Sequence, residues 1–164
     1  MNNINTKKRI LTGKAFACAV LLIVLLAVLT SCTPKEPVTA DFFEEKAQAL
    51  GYTTEDVTDQ YMQEDFKVIK GIAVESDCLY ITFFETDSSD SAALAFAVEK
   101  ANFEENKEDS SEETSVSMGT YQKYTLVAQG NYFLAERVGK TFVSADCHGA
   151  DTQKVTELLD AIGY

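Results

Sequence analysis

The chain has 164 residues, 46% hydrophobic and 24% charged, with four Cys, one His and no Trp. Its 14 Lys/Arg stand against 26 Asp/Glu, a formal net charge of −12. That surplus of acid excludes a nucleic-acid partner, which needs a basic stripe to neutralise phosphates, and the length suits one domain able to bury a core of its own.

Residues 1–14 are polar and basic, with Lys7, Lys8, Arg9 and Lys14, and Ala15 to Leu29 then runs without a charged group. A basic stretch followed by ~7–15 apolar residues is the pattern of a secretory signal, whereas a permanent span wants ~20. The run ends in Leu29-Thr30-Ser31-Cys32, an aliphatic residue and two small ones before Cys. Four of the basic side chains and no acid precede Cys32, so the 133 residues from Cys32 onward hold 10 basic and 26 acidic side chains.

Leu29-Thr30-Ser31-Cys32 resembles a bacterial lipobox. The resemblance implies that the Cys32 thiol takes a diacylglyceryl group, that a signal peptidase cuts between Ser31 and Cys32, and that the lipid holds the mature chain at the extracytoplasmic face of the cell membrane. An uncleaved anchor, with Cys32 incidental, is the alternative. On the lipobox reading, residues 1–31 are signal peptide. Residues 32–39 are the lipidated Cys and a tether extended by Pro34 and Pro37, and residues 40–164 form a single extracytoplasmic domain.

Within the domain, Phe42 to Leu50 fits a short helix capped by Thr39 or Asp41 and ended by Gly51, with Phe43, Ala47 and Leu50 on one face. Val68–Glu75 and Cys78–Glu85 are strand-like and joined by Ser76-Asp77. Leu79, Ile81 and Phe83 fall on one side of the second strand and Tyr80, Thr82 and Phe84 on the other. Aromatics on both sides mark it as central. Ser91 to Glu105 fits the longest helix, with Leu94, Val98 and Ala101 as one stripe and Ala92, Phe96 and Phe103 widening it. Glu104 to Glu113 is acidic and patternless, the composition of a solvated loop. A meander follows over Tyr121–Ala128, Asn131–Val138 and Lys140–Ala145, with turns at Gly130-Asn131 and Gly139-Lys140. Asp151 then caps a last helix carrying Val155, Leu158, Leu159 and Ile162 at i, i+3, i+4, i+7. The order α-β-β-α-β-β-β-α with consecutive hairpins predicts an α+β fold, an antiparallel sheet with helices packed on one face. Thr53–Thr58 is a candidate further edge strand.

Motifs for chemistry are sparse. The chain lacks G-x-S-x-G, G-x-x-x-x-G-K, G-x-G-x-x-G and H-E-x-x-H, so neither a catalytic residue nor a cofactor is expected. One His and no C-x-x-C give no transition-metal site. Cys147-His148 sets a nucleophile beside a base, but neighbours on a strand point to opposite faces. Cys78 and Cys147 are an even pair in the exported domain and suit either a disulfide or two small buried hydrophobes. The acidic runs Asp87–Asp90 and Glu108–Glu113 offer oxygen ligands without the spacing of a calcium loop. Tyr121, Tyr124 and Tyr132 on the meander are the candidate binding patch.

The whole pattern, a helix ending Leu50-Gly51-Tyr52, a hairpin, a Phe-rich strand, a helix, a meander and a helix ending Ile162-Gly163-Tyr164, loosely resembles small uncharacterised lipoproteins of low-GC Gram-positive bacteria. That resemblance carries no active residues. It implies an exported, single-domain lipoprotein of unknown role. The lack of any catalytic constellation and the short tether point to a non-catalytic interaction module for an envelope protein or another envelope component. A lipoprotein that binds a small ligand or cation is the alternative, and a hydrolase a third reading.

Overall fold

The computed structural model describes residues 35–61 and 67–164; Ser31, Cys32 and the signal segment lie outside the described residues. The strands are β1 (Thr54–Asp56), β2 (Val68–Ser76), β3 (Leu79–Thr86), β4 (Glu112–Met118), β5 (Tyr121–Ala128), β6 (Asn131–Val138) and β7 (Thr141–His148). They form one antiparallel sheet in the order β1-β2-β3-β7-β6-β5-β4. Helices α1 (Ala40–Ala49), α2 (Ser89–Glu104) and α3 (Thr152–Ile162) cover it. No helix among the described residues is long and apolar enough to cross a membrane.

The α+β class and the alternation of hairpins and helices are as expected, with β1 and β4 added at the two edges. β1 falls within the anticipated Thr53–Thr58 segment. β4 was not expected, and every one of its residues is exposed, so it has no burial alternation from which a strand is read.

The helices lie on both faces of the sheet, not on one. α1 and α3 pack with Ile72, Val74, Ile81, Phe83 and Leu134 in one core. α2 packs with Ala73, Phe84, Phe133 and Phe142 in a second core on the opposite face. The cause is visible in β3, whose alternating residues are apolar on both sides, so each side must be covered.

Local chemistry sets the helix ends. The Thr39 hydroxyl accepts from the Phe42 backbone N–H at 3.3 Å, and Ser88 accepts from that of Ser91 at 3.1 Å. α3 buries Val155, Leu158, Leu159 and Ile162 as its spacing predicts. Asp151 stands at its start without a capping bond and pairs with Lys154 at 2.7 Å. α2 is rotated from the expected stripe. Ala92, Ala95, Phe96 and Phe103 are buried, while Leu94 and Val98 stay 38% and 48% exposed. The β5–β6 turn sits one residue early, at Gln129-Gly130, where both φ angles are positive (55° and 82°).

The segment from Lys35 is laid against the domain instead of extending as a free tether. Lys35 Nζ lies 2.7 Å from Glu136 Oε1, Pro37 packs over Gly139, and the Val38 N–H donates to the Tyr164 hydroxyl at 3.3 Å. These contacts exist because β6 presents a buried acid and α3 delivers Tyr164 beside it.

Gly71 in β2 is required by close packing. A Cβ there would stand 2.9 Å from Phe84 Cδ1 and Cε1. Gly71→Ala is expected to lower stability by about 1–3 kcal/mol through overpacking, although less backbone freedom in the unfolded chain would by itself favour Ala. The urea midpoint of unfolding measures it.

Candidate functional site

A pocket of about 280 Å³ opens between α2 and the sheet. Its floor is three cross-strand pairs on one face of β3 and β7: Tyr80 with Asp146, Thr82 with Ser144, and Phe84 with Phe142. Residues directly opposite on antiparallel strands share a face, which is why six residues about sixty positions apart line one surface. Phe84 and Phe142 stack with ring centroids 6.1 Å apart. α2 forms the roof with Ala95, Val98, Glu99, Asn102 and Phe103, spaced as one helical face. Tyr61 closes an end, its ring 4.8 Å from that of Phe84 and its hydroxyl 3.2 Å from the Tyr80 hydroxyl.

The polar groups converge on one side. The Ser144 hydroxyl, on a buried residue, donates to Glu99 Oε1 at 2.5 Å. Burial, and secondarily the Glu99 charge, hold the Asp146 carboxyl above its ordinary range. Burial and then the hydrogen bond with Tyr61 push the Tyr80 hydroxyl upward as well. Among the described residues, no Lys, Arg or His lines the cavity. The site is an apolar slot with two carboxylates at its side.

The residues singled out in the sequence stand elsewhere. Tyr121, Tyr124 and Tyr132 do not make one patch. Tyr124 is buried on the α2 face, its hydroxyl 3.4 Å from Glu113 Oε2 and its ring under Lys100. Tyr121 lies on the opposite face under Lys35, and Tyr132 packs against the α1/α3 core from the other end of the strands. Tyr124 lies three positions after Tyr121, and an odd offset on a strand reverses the face.

Cys78 and Cys147 are both free thiols, and the bridge is not formed. The register pairs Cys147 with Leu79 and draws the His148 N–H to the Cys78 carbonyl at 3.1 Å. Cys78 thus sits exposed in the turn between β2 and β3, whereas Cys147 is buried within β7. Cys147 points into the α1/α3 core while His148 is exposed, so they form no dyad. The acidic runs serve the fold. Asp87 accepts from the Ser91 hydroxyl at 2.7 Å and Glu113 pairs with Lys107 at 2.7 Å. Among the described residues, no group of three or more His, Cys, Asp or Glu is placed to hold a metal ion.

Burial pushes the Cys147 thiol from 9.0 up to about 11. The folded chain therefore keeps a proton that the unfolded chain releases, and stability falls as pH rises from 9 toward 11, by up to about 2–3 kcal/mol. Chemical denaturation at pH 8 and pH 10 is expected to show this loss in the wild type and a smaller one in Cys147→Val. Tyr132, pushed up to about 12, adds its own loss only above pH 10.

No family model matches the chain, and no curated protein matches it. The fold is similar to the crystal structure of a GTP binding regulator from Thermotoga maritima. The match has a TM-score of 0.50 at 12% identity and covers 79% of this chain and 90% of that one. The likeness is one of fold.

Proposed function

We propose that this chain is a lipid-anchored extracytoplasmic protein whose domain is a non-catalytic binding module, and that the pocket between α2 and the β3/β7 surface is where it binds. The pocket carries this reading. It has an aromatic floor, few polar groups and a volume near the lower end for small-ligand sites. The anchor rests on the Leu29-Thr30-Ser31-Cys32 motif. With Lys35 already held by the domain, Cys32 and the first docked residue lie three positions apart, at most ~10 Å of chain. A domain tied so closely samples the first layer above the membrane. The GTP named for the Thermotoga maritima protein suits this pocket poorly, because Glu99 and Asp146 line it and, among the described residues, no basic side chain does.

An envelope protein as partner is a second reading, favoured by β4. This edge strand is exposed along its seven residues and leaves backbone groups open to pairing.

The test joins anchor and pocket. Wild-type chain is expected in the membrane fraction carrying radiolabelled fatty acid, and Cys32→Ala is expected unlabelled and unprocessed. A thermal-shift screen is expected to find compounds that raise the melting temperature, with the effect lost in Val98→Phe, which narrows the mouth. An unlabelled wild type overturns the anchor. Stabilisation indifferent to Val98→Phe overturns the pocket.

A further inference from the structure

The geometry points to a small organic cation, an ammonium group on an aromatic or branched apolar body, as the ligand class of the α2 pocket; this rests on the binding-module reading above. Three features of the cavity select it. Glu99 and Asp146 supply anionic oxygens on one side, and among the described residues no basic side chain lines the pocket to neutralise them. Asp146 is exposed and Glu99 half-buried, the charge of one acts on the other, and two like charges that repel favour a cation between them. Burial first, and the Glu99 charge second, raise the Asp146 carboxyl, and the second of these is the repulsion that a cation would relieve.

The second feature is aromatic. Phe84, Phe142 and Phe103 are buried and line the cavity, with the hydroxyl-linked Tyr61 and Tyr80 at its end. Ring faces attract a cation within about 6 Å and pack an apolar body equally well. The third is the hydrogen-bond polarity. The Ser144 proton is given to Glu99 Oε1 and an Asn102 amide proton to Oε2, so the lone pairs left on Glu99 and those of Asp146 are acceptors that call for a ligand that donates. An ammonium donates and an anion does not. The volume, about 280 Å³, limits the ligand to one ring or a short branched chain.

Three probes of one shape separate the possibilities: benzylammonium, benzyl alcohol and benzoate, titrated into the full isotope-labelled chain in an uncharged detergent and followed by backbone amide shifts. Benzylammonium is expected to move the amides of Glu99, Ser144 and Asp146. Its dissociation constant is expected to be roughly tenfold or more below that of benzyl alcohol, with benzoate silent. The double variant Glu99→Gln/Asp146→Asn, checked by its melting curve to be folded, is expected to lose that preference while still admitting benzyl alcohol. Equal binding of benzyl alcohol, or binding of benzoate, overturns the cation assignment and leaves the pocket reading standing. Silence from all three probes overturns both.

Discussion

Replacing both Lys35 and Lys123 with Met is expected to destabilise the fold by about 3–5 kcal/mol, because it strands a fully buried carboxylate. Glu136 is 0% exposed in the middle of β6. Lys35 Nζ lies 2.7 Å from its Oε1 and Lys123 Nζ 2.8 Å from its Oε2. The two contacts are not equivalent. The Lys123 contact is close enough for an ion pair, yet it is not directed as a hydrogen bond, and among the described residues Oε2 has no hydrogen-bond partner. Lys35 therefore carries the directed bond to Glu136 among the described residues, and it comes from the segment that joins the domain to the proposed anchor. In a domain of this size the loss corresponds to a fall of very roughly 10–20 °C in melting temperature. The triple variant that adds Glu136→Met removes the stranded charge and is expected to recover much of the loss. A triple variant no more stable than the double would show that Glu136 is not the source of the cost. Differential scanning calorimetry of the three proteins decides it.

Phe83→Ala is expected to cost about 3–5 kcal/mol, the range for truncating a large buried aromatic. Phe83 is 0% exposed in β3. Its ring stacks on Phe43 of α1 at 4.8 Å and lies 6.3 Å from Tyr164, just past the end of α3. One side chain thus joins the central strand to both helices of its face, and its loss opens a cavity that neither helix can fill without leaving its own contacts. Tyr164 is also tied down by hydrogen bonds with Thr141 and Val38, which limits its movement toward the gap. Leu94→Ala, at a partly exposed position on α2, is expected to cost less than about 1 kcal/mol. The pair of measurements compares the buried face of one element with the exposed face of another. A Leu94→Ala loss as large as that of Phe83→Ala would mean that the observed rotation of α2 is wrong.

Much of the architecture was legible in the sequence because it is written locally. The two faces of β3 follow from strict alternation. The buried side of α3 follows from Val155, Leu158, Leu159 and Ile162. The helix ends follow from Thr39, Gly51 and Gly163, whose side chains or conformational freedom act on neighbours a few residues away. The motif ending in Cys32 is likewise a linear signal that needs no fold to be read.

The pocket was not legible, and the reason is physical. Glu99, Ser144 and Asp146 each look like ordinary solvent-facing residues in their own segments, and only the antiparallel register of β3 with β7 under α2 brings them to one cavity. The thiols that sequence parity paired stand one exposed in a turn and one buried in a strand, and strand alternation divides the tyrosines that proximity in sequence grouped. Which helix covers which face was also outside the reach of local pattern. It depended on how both apolar sides of a central strand found cover. The sequence by itself determined the three helices, the five inner strands, their order, the Thr39 and Gly163 helix ends and the acidic character of the domain, because these depend on near neighbours and composition. The site, the free cysteines and the docking of the Lys35 segment were decided by tertiary structure, because each depends on which distant residues the strand pairing sets opposite one another.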